Sequence, residues 1–228
     1  MSNATLWAEL LAYGSGIAIS PIHIGLLLLL LLGPNPLRRG GLLVLSWMLT
    51  IALMVLLLLT VGHGLLLGME KGSSHRTGLD LLGAGALLAL GLRELLDRRE
   101  EGQDPPAWTR QLDRFCAMPL PLLLGASCAI EVISPDDLFL FAKTASALLA
   151  SGLNRLQEGF YTAVFTVAAS LALLVPFLAV VIGRQQVVPL LERGKQLLFA
   201  KGDLLVGGLS LVLAGYLGWQ GIEGLQLG

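Results

Sequence analysis

Apolar residues in this chain come in long blocks, not in the strict alternation of strands or the one-face stripe of soluble helices. Positions 24–32, 42–61, 81–92 and 204–217 lie in blocks long enough to fill a hydrocarbon core of about 30 Å. In lipid each such block must be helical, because nothing there satisfies free backbone groups. Hydropathy and breakers together predict six spans, at 6–33, 41–63, 78–96, 119–150, 156–183 and 202–223. The long polar connection from Asp97 to Arg114, with the Pro105-Pro106 pair, divides the chain near its middle. This suggests three units: a first three-helix repeat at 1–97, a connection at 98–118 and a second repeat at 119–228.

Two features mark the halves as repeats. Ile19-Ser20-Pro21 recurs as Ile133-Ser134-Pro135, and Asp80-Leu81-Leu82 with Gly85 recurs as Asp203-Leu204-Leu205 with Gly208. Three helices per half is odd, so equivalent halves must cross the membrane in opposite senses. The expected fold is therefore an all-α integral membrane protein of two inverted three-helix repeats. Proline removes a backbone donor and clashes with the preceding turn, so helices one and four should break at Ser20-Pro21 and Ser134-Pro135. By the same reasoning Pro176 should kink helix five.

Composition strengthens the membrane reading: 55% of the 228 residues are hydrophobic and 14% charged, with mean hydropathy +0.77. Connections after helices one, three and five hold Arg38, Arg39, Arg93, Arg98, Arg99, Arg110, Arg114, Arg184, Arg193, Lys195 and Lys201. The opposite side has only Lys71, Arg76 and Arg155. The positive-inside rule then puts both termini outside the cytoplasm. A first segment without a basic n-region, carrying Glu9, reads as a retained helix and not a cleaved leader. No basic cluster suits nucleic acid, and no phosphate-binding loop or serine–histidine arrangement suggests an enzyme or a cofactor. Cys116 and Cys128 lack a metal or redox spacing. Glycine-rich faces at Gly83-Ala84-Gly85 and Gly207-Gly208 favour close helix packing and are compatible with a homodimer. Trp7, Trp47, Tyr216 and Trp219 suit interfacial anchoring, and His63 an interfacial position.

Charges inside apolar spans are costly and normally meet partners, water or cargo. Glu131, Asp136, Asp137 and Lys143 flank the second proline break, and His23 follows the first. The candidate binding set for substrate or ion is Ser20, Pro21, His23, Glu131, Ser134, Pro135, Asp136, Asp137 and Lys143. His23 and Asp137 would act as proton or cation groups, and Lys143 as the counter-charge of Asp136. A capping explanation stands beside this one, since Ser134 to Asp137 has capping-box spacing at a helix N-terminus.

The pattern Ala18-Ile19-Ser20-Pro21-Ile22 with Gly33-Pro34, the Pro105-Pro106-Ala107-Trp108 connection, Ser134-Pro135-Asp136-Asp137-Leu138 and the stretch 165–176 resemble the GAP or Sap proteins of the LysE transporter superfamily. The resemblance covers nearly the whole chain. It implies a bacterial cytoplasmic-membrane protein, associated with export or addressing of lipid-linked products. In that family the second turn usually reads Asn-Pro-Lys-Asn. The acids at 136 and 137 here shift the expectation toward a cation, an amine or a proton-coupled step. Three functions are consistent with these residues: a gradient-driven exporter of a small or lipid-linked molecule, a cation or metal-ion exporter, and a non-transporting scaffold for lipid-product assembly. In the last, the central connection would serve as a docking segment. Related thiol-electron carriers place a cysteine in each repeat, but Gly14 stands opposite Cys128 here.

Overall fold

In the computed structural model, which describes residues 3–64, 73–96, 114 and 116–227, every regular element is helical. Lys71 and the central connection through Arg110 lie outside the described residues, as do the side chains of Pro21, Pro135 and Asp136. The elements are α1 (Asn3–Ala18), α2 (Pro21–Leu32), α3 (Pro36–Gly64), α4 (Ser74–Leu96), α5 (Leu120–Ile133), α6 (Pro135–Ala150), α7 (Arg155–Ala169) and α8 (Leu171–Gly183). A 3-10 turn at Arg184–Val187 then leads into α9 (Val188–Leu227).

Only Pro36–His63, among the described residues, is long and apolar enough to cross a membrane by itself. Three bent pairs pass the same test together: Ala4–Ala18 with Ile22–Leu32 at 58°, Arg155–Ala169 with Leu171–Gly183 at 67°, and Val188–Gly202 with Gly207–Leu227 at 63°. Counting each pair as one span gives up to four. The segments that fall short are α4, with Arg76, Asp80, Arg93 and Glu94, and the α5–α6 unit, with Glu131, Asp136, Asp137 and Lys143. Large apolar side chains face outward around the bundle, for instance Leu82, Ile182 and Val212 at 75%, 83% and 69% exposure. Glu9, His23, Asp80, Glu131 and Lys143 are meanwhile buried. This inversion of soluble-protein patterning is what a lipid solvent selects.

Local sequence explains the turns. Between α2 and α3 the chain reverses through Gly33-Pro34-Asn35-Pro36, with Asn35 in the left-handed region at φ 56°. Asparagine tolerates that conformation better than other side-chain-bearing residues, and Pro36 is preset for the first helical turn. α7 starts with a capping box, in which Asn154 accepts from the Gln157 amide and the Gln157 side chain accepts from the Asn154 amide. Arg39 of α3 donates to the carbonyls of Cys116 (2.8 Å) and Met118 (3.1 Å), tying the approach to α5 onto the first half.

Two elements differ from the sequence reading. Helix five is interrupted at Ser170, six residues before Pro176, and Pro176 lies within α8. Ser170 satisfies its own amide on Thr166 and Val167, so the turn closes there before the proline is reached. The charged stretch 188–202, expected as a connection, is the first arm of α9. Leu191 and Leu198 are buried seven residues apart while Glu192 and Arg193 stay exposed, a helical pattern whose charges lowered its hydropathy.

The most extensive helix contact joins α4 to the second arm of α9. The two run antiparallel, with Gly224 against Thr77, Gly221 against Asp80 and Leu81, Gly218 against Ala84, and Gly207 against Gly91. A Cβ on Gly91 would sit 3.0 Å from the Gly207 carbonyl oxygen, and one on Gly207 would sit 3.2 Å from that of Gly91. Small residues allow this approach where lipid supplies no hydrophobic drive between helices. Gly91→Leu should therefore cost about 1–3 kcal/mol in detergent unfolding. Gly85→Ala, facing open space, should stay within about 0.5 kcal/mol of the parent.

Candidate functional site

The helix starting at Pro21 is preceded by extended Ser20, and the helix starting at Pro135 by extended Ser134. Neither serine makes a side-chain capping hydrogen bond, so the capping-box geometry expected from Ser134 to Asp137 does not form. Ser20 Oγ lies 2.9 Å from Nδ1 of His23 instead. On the other side of the ring, Nε2 approaches the Ser127 carbonyl of α5 at 3.5 Å. A carbonyl can only accept, so Nε2 carries the proton and Nδ1 of the neutral ring accepts from the Ser20 hydroxyl. The ring also lies against Trp47 of α3, with centroids 4.2 Å apart. Trp47 is buried at 1% exposure, which corrects the interfacial role expected of it; its indole N–H has no acceptor among the described residues.

Glu131 sits one helical turn beyond Ser127 and is fully buried. Neither of its carboxylate oxygens receives a hydrogen bond among the described residues. The Thr50 hydroxyl lies close enough to act on the Glu131 carboxyl, while its own hydrogen bonds run to the Ser46 carbonyl at 2.9 Å and the Cys128 sulfur at 3.3 Å. Cys128 Sγ also lies 2.8 Å from Ser46 Oγ, so this cysteine belongs to the polar cluster and is not merely apolar filling. Asp137, buried at the start of α6, and Cys128 are close enough to act on Glu131 electrostatically. The structure thus gathers Ser20, His23, Glu131 and Asp137 with Trp47, Thr50, Ser127 and Cys128 around the meeting of α2, α3 and α5. No three of the described histidines, cysteines and acids form a metal-binding group.

Lys143 belongs elsewhere. Its ammonium donates to the carboxylate of Asp80 on α4, and both side chains are almost fully buried. The spacing-based partner was Asp136; the observed one comes from the other half of the chain. A second buried pair, Arg76 to Glu9 at 2.7 Å, lies in the same region. Gln220 donates to Glu9 at 3.3 Å and to the Tyr216 hydroxyl at 3.0 Å, while Tyr13 donates to Gln220 at 3.1 Å. The Lys143 ammonium stands 5.6 Å from the centre of the Tyr13 ring. Glu9 and Asp80, which the sequence marks only as an acid in the first segment and as part of a repeat, join this network with Tyr13 and Gln220. An acid or amide deep in an apolar block was the signal available. At one end of α3, His63 meets Glu158 at 2.7 Å with Arg155 nearby at 3.6 Å, and His63 is one-third exposed.

A bundle with leucine outside and paired or orphaned charge inside is a helical membrane protein with a polar interior. The chain belongs to the family of Sap, the sulfolipid-1-addressing protein, whose family model matches residues 10–223. Membership ties this membrane protein to lipid handling. No curated protein and no solved structure matches the chain.

Removing one member of a buried ion pair strands the other, whereas removing both is nearly neutral. Lys143→Met should accordingly lower unfolding stability by about 3–5 kcal/mol, and adding Asp80→Asn should recover most of that loss. Failure of the second change to rescue the first would place Lys143 with a different partner.

Proposed function

We propose that this chain is a gradient-driven membrane exporter of a lipid-linked molecule, with its binding site in the polar cluster between the Ser20-Pro21 and Ser134-Pro135 turns. The observation that carries the proposal is Glu131: a fully buried carboxyl group neither of whose oxygens receives a hydrogen bond among the described residues. An uncompensated acid in an apolar interior is costly, and taking up a proton, a cation or a polar group of cargo relieves it. His23, held between Ser20 and Ser127, is placed to exchange protons with that cargo, and Asp137 supplies a second acid. The family name, which speaks of addressing a sulfolipid, favours a lipid as cargo.

The proposal takes the chain to make six crossings in two inverted repeats, with both termini outside the cytoplasm of a bacterial inner membrane. Equivalent helices of inverted repeats run antiparallel, and α4 does so against the matching arm of α9. In this reading the chain performs no covalent chemistry. A cation exporter finds less support, because the described acids do not assemble a metal group. The scaffold reading rests on a connection outside the described residues.

Proteoliposomes carrying a tail-labelled acidic lipid, with an imposed pH gradient, test the proposal through leaflet-to-leaflet movement of the label. Glu131→Gln and Asp137→Asn should each bring movement near that of empty liposomes. Glu131→Gln should at the same time raise the unfolding temperature, because the amide spares the fold a buried charge. Unchanged movement in the double variant would eliminate the site.

A further inference from the structure

A groove of about 540 Å³ runs between α2, α8 and the first arm of α9, within the range of about 300–1,000 Å³ usual for small-molecule sites. Its walls are aliphatic, including Ile24 and Leu28 of α2, Pro176 and Ala179 of α8, and Leu198 of α9. Arg193 is its one charged lining residue among the described residues. The bends at Ser170 and between Gly202 and Gly207 carry α8 and the α9 arm away from the bundle's main direction, and the groove lies between them. Val175, Leu190 and Leu197 on its lips are 60%, 66% and 57% exposed, so it opens sideways through apolar surface. On α2 the lining begins at Ile24, the residue after His23, whose amide bonds to the Ser20 carbonyl at 3.0 Å.

We infer that this groove holds one acyl chain of an anionic membrane lipid, with the lipid head group against Arg193. A polar occupant would lose its water and find no hydrogen-bonding wall in exchange. An acyl chain loses nothing there. Arg193, exposed on an arm that also bears Lys195 and Lys201, offers the positive charge an anionic head group seeks. The inference deepens the transport proposal by assigning a lipid-loading subsite, and it depends on that proposal only for the direction of movement.

Native mass spectrometry of the purified full-length protein, mixed with dioleoyl phosphatidylglycerol or dioleoyl phosphatidylcholine, counts the lipid retained. The parent should keep one phosphatidylglycerol per chain in preference to phosphatidylcholine. Gly194 lines the groove and a Cβ there meets nothing within 4 Å, so Gly194→Phe fills the space without a clash at the backbone. It should lower bound lipid about tenfold, roughly the contact of two methylenes. Gly208→Phe, equally open but outside the groove, should keep it. Arg193→Gln should reduce the preference for phosphatidylglycerol about fivefold, the worth of one basic residue against an anionic lipid. Equal retention in Gly194→Phe, no retained lipid in the parent, or a lipid-free dimer closing the groove would each overturn the inference. Lipid retained as described, but not moved between leaflets, would leave the groove standing and remove the transporter.

Discussion

Two ion pairs, Glu9 with Arg76 and Lys143 with Asp80, lie together with Tyr13, Tyr216 and Gln220 where α1, α4, α6 and α9 converge. In a bilayer such charges cannot be left facing lipid, and each needs a partner from another helix. Meeting that need fixes which faces of four helices turn inward. It also fixes the axial register of helices whose outward surfaces are nearly uniform leucine. The glycine contacts between α4 and α9 then set how closely the backbones approach. Polar pairing decides the arrangement, and small residues make it dense.

Against that well-paired cluster, the cluster at the Ser20-Pro21 turn is incomplete. Glu9 holds an arginine and an amide on Oε1 and has no donor on Oε2 among the described residues; Glu131 has none on either oxygen. The difference separates a structural network from a site, since natural proteins tolerate unmet polar groups where function needs them. The apolar groove lined by Ile24 and Leu28 adds lipid-sized volume along α2, the helix that also carries His23.

Much of this was legible in the sequence. Blocks of apolar residues gave helices, Ser-Pro pairs coincided with the starts of α2 and α6, and isolated charges in those blocks pointed to the interior. What sequence spacing missed was long-range. Asp80 and Lys143 lie sixty-three residues apart, and no local pattern links them. Trp47 has the composition of an interfacial anchor but the position of a core ring, packed against His23. The α9 arm was hidden by its own charges, and the Ser170 interruption by the more conspicuous Pro176.

The polar site depends on the α2 turn docking against α5, and thiol cross-linking measures that most directly. In a Cys116→Ser, Cys128→Ser background, His23→Cys and Ser127→Cys should be joined rapidly by a short bifunctional thiol reagent in native membranes. The rate should match that of an Ala84→Cys, Gly218→Cys pair across the α4–α9 contact, where a Cβ at 218 meets the Ala84 Cβ at 3.7 Å. Rapid joining at that control pair with none between 23 and 127 would contradict the docking, and with it the polar site.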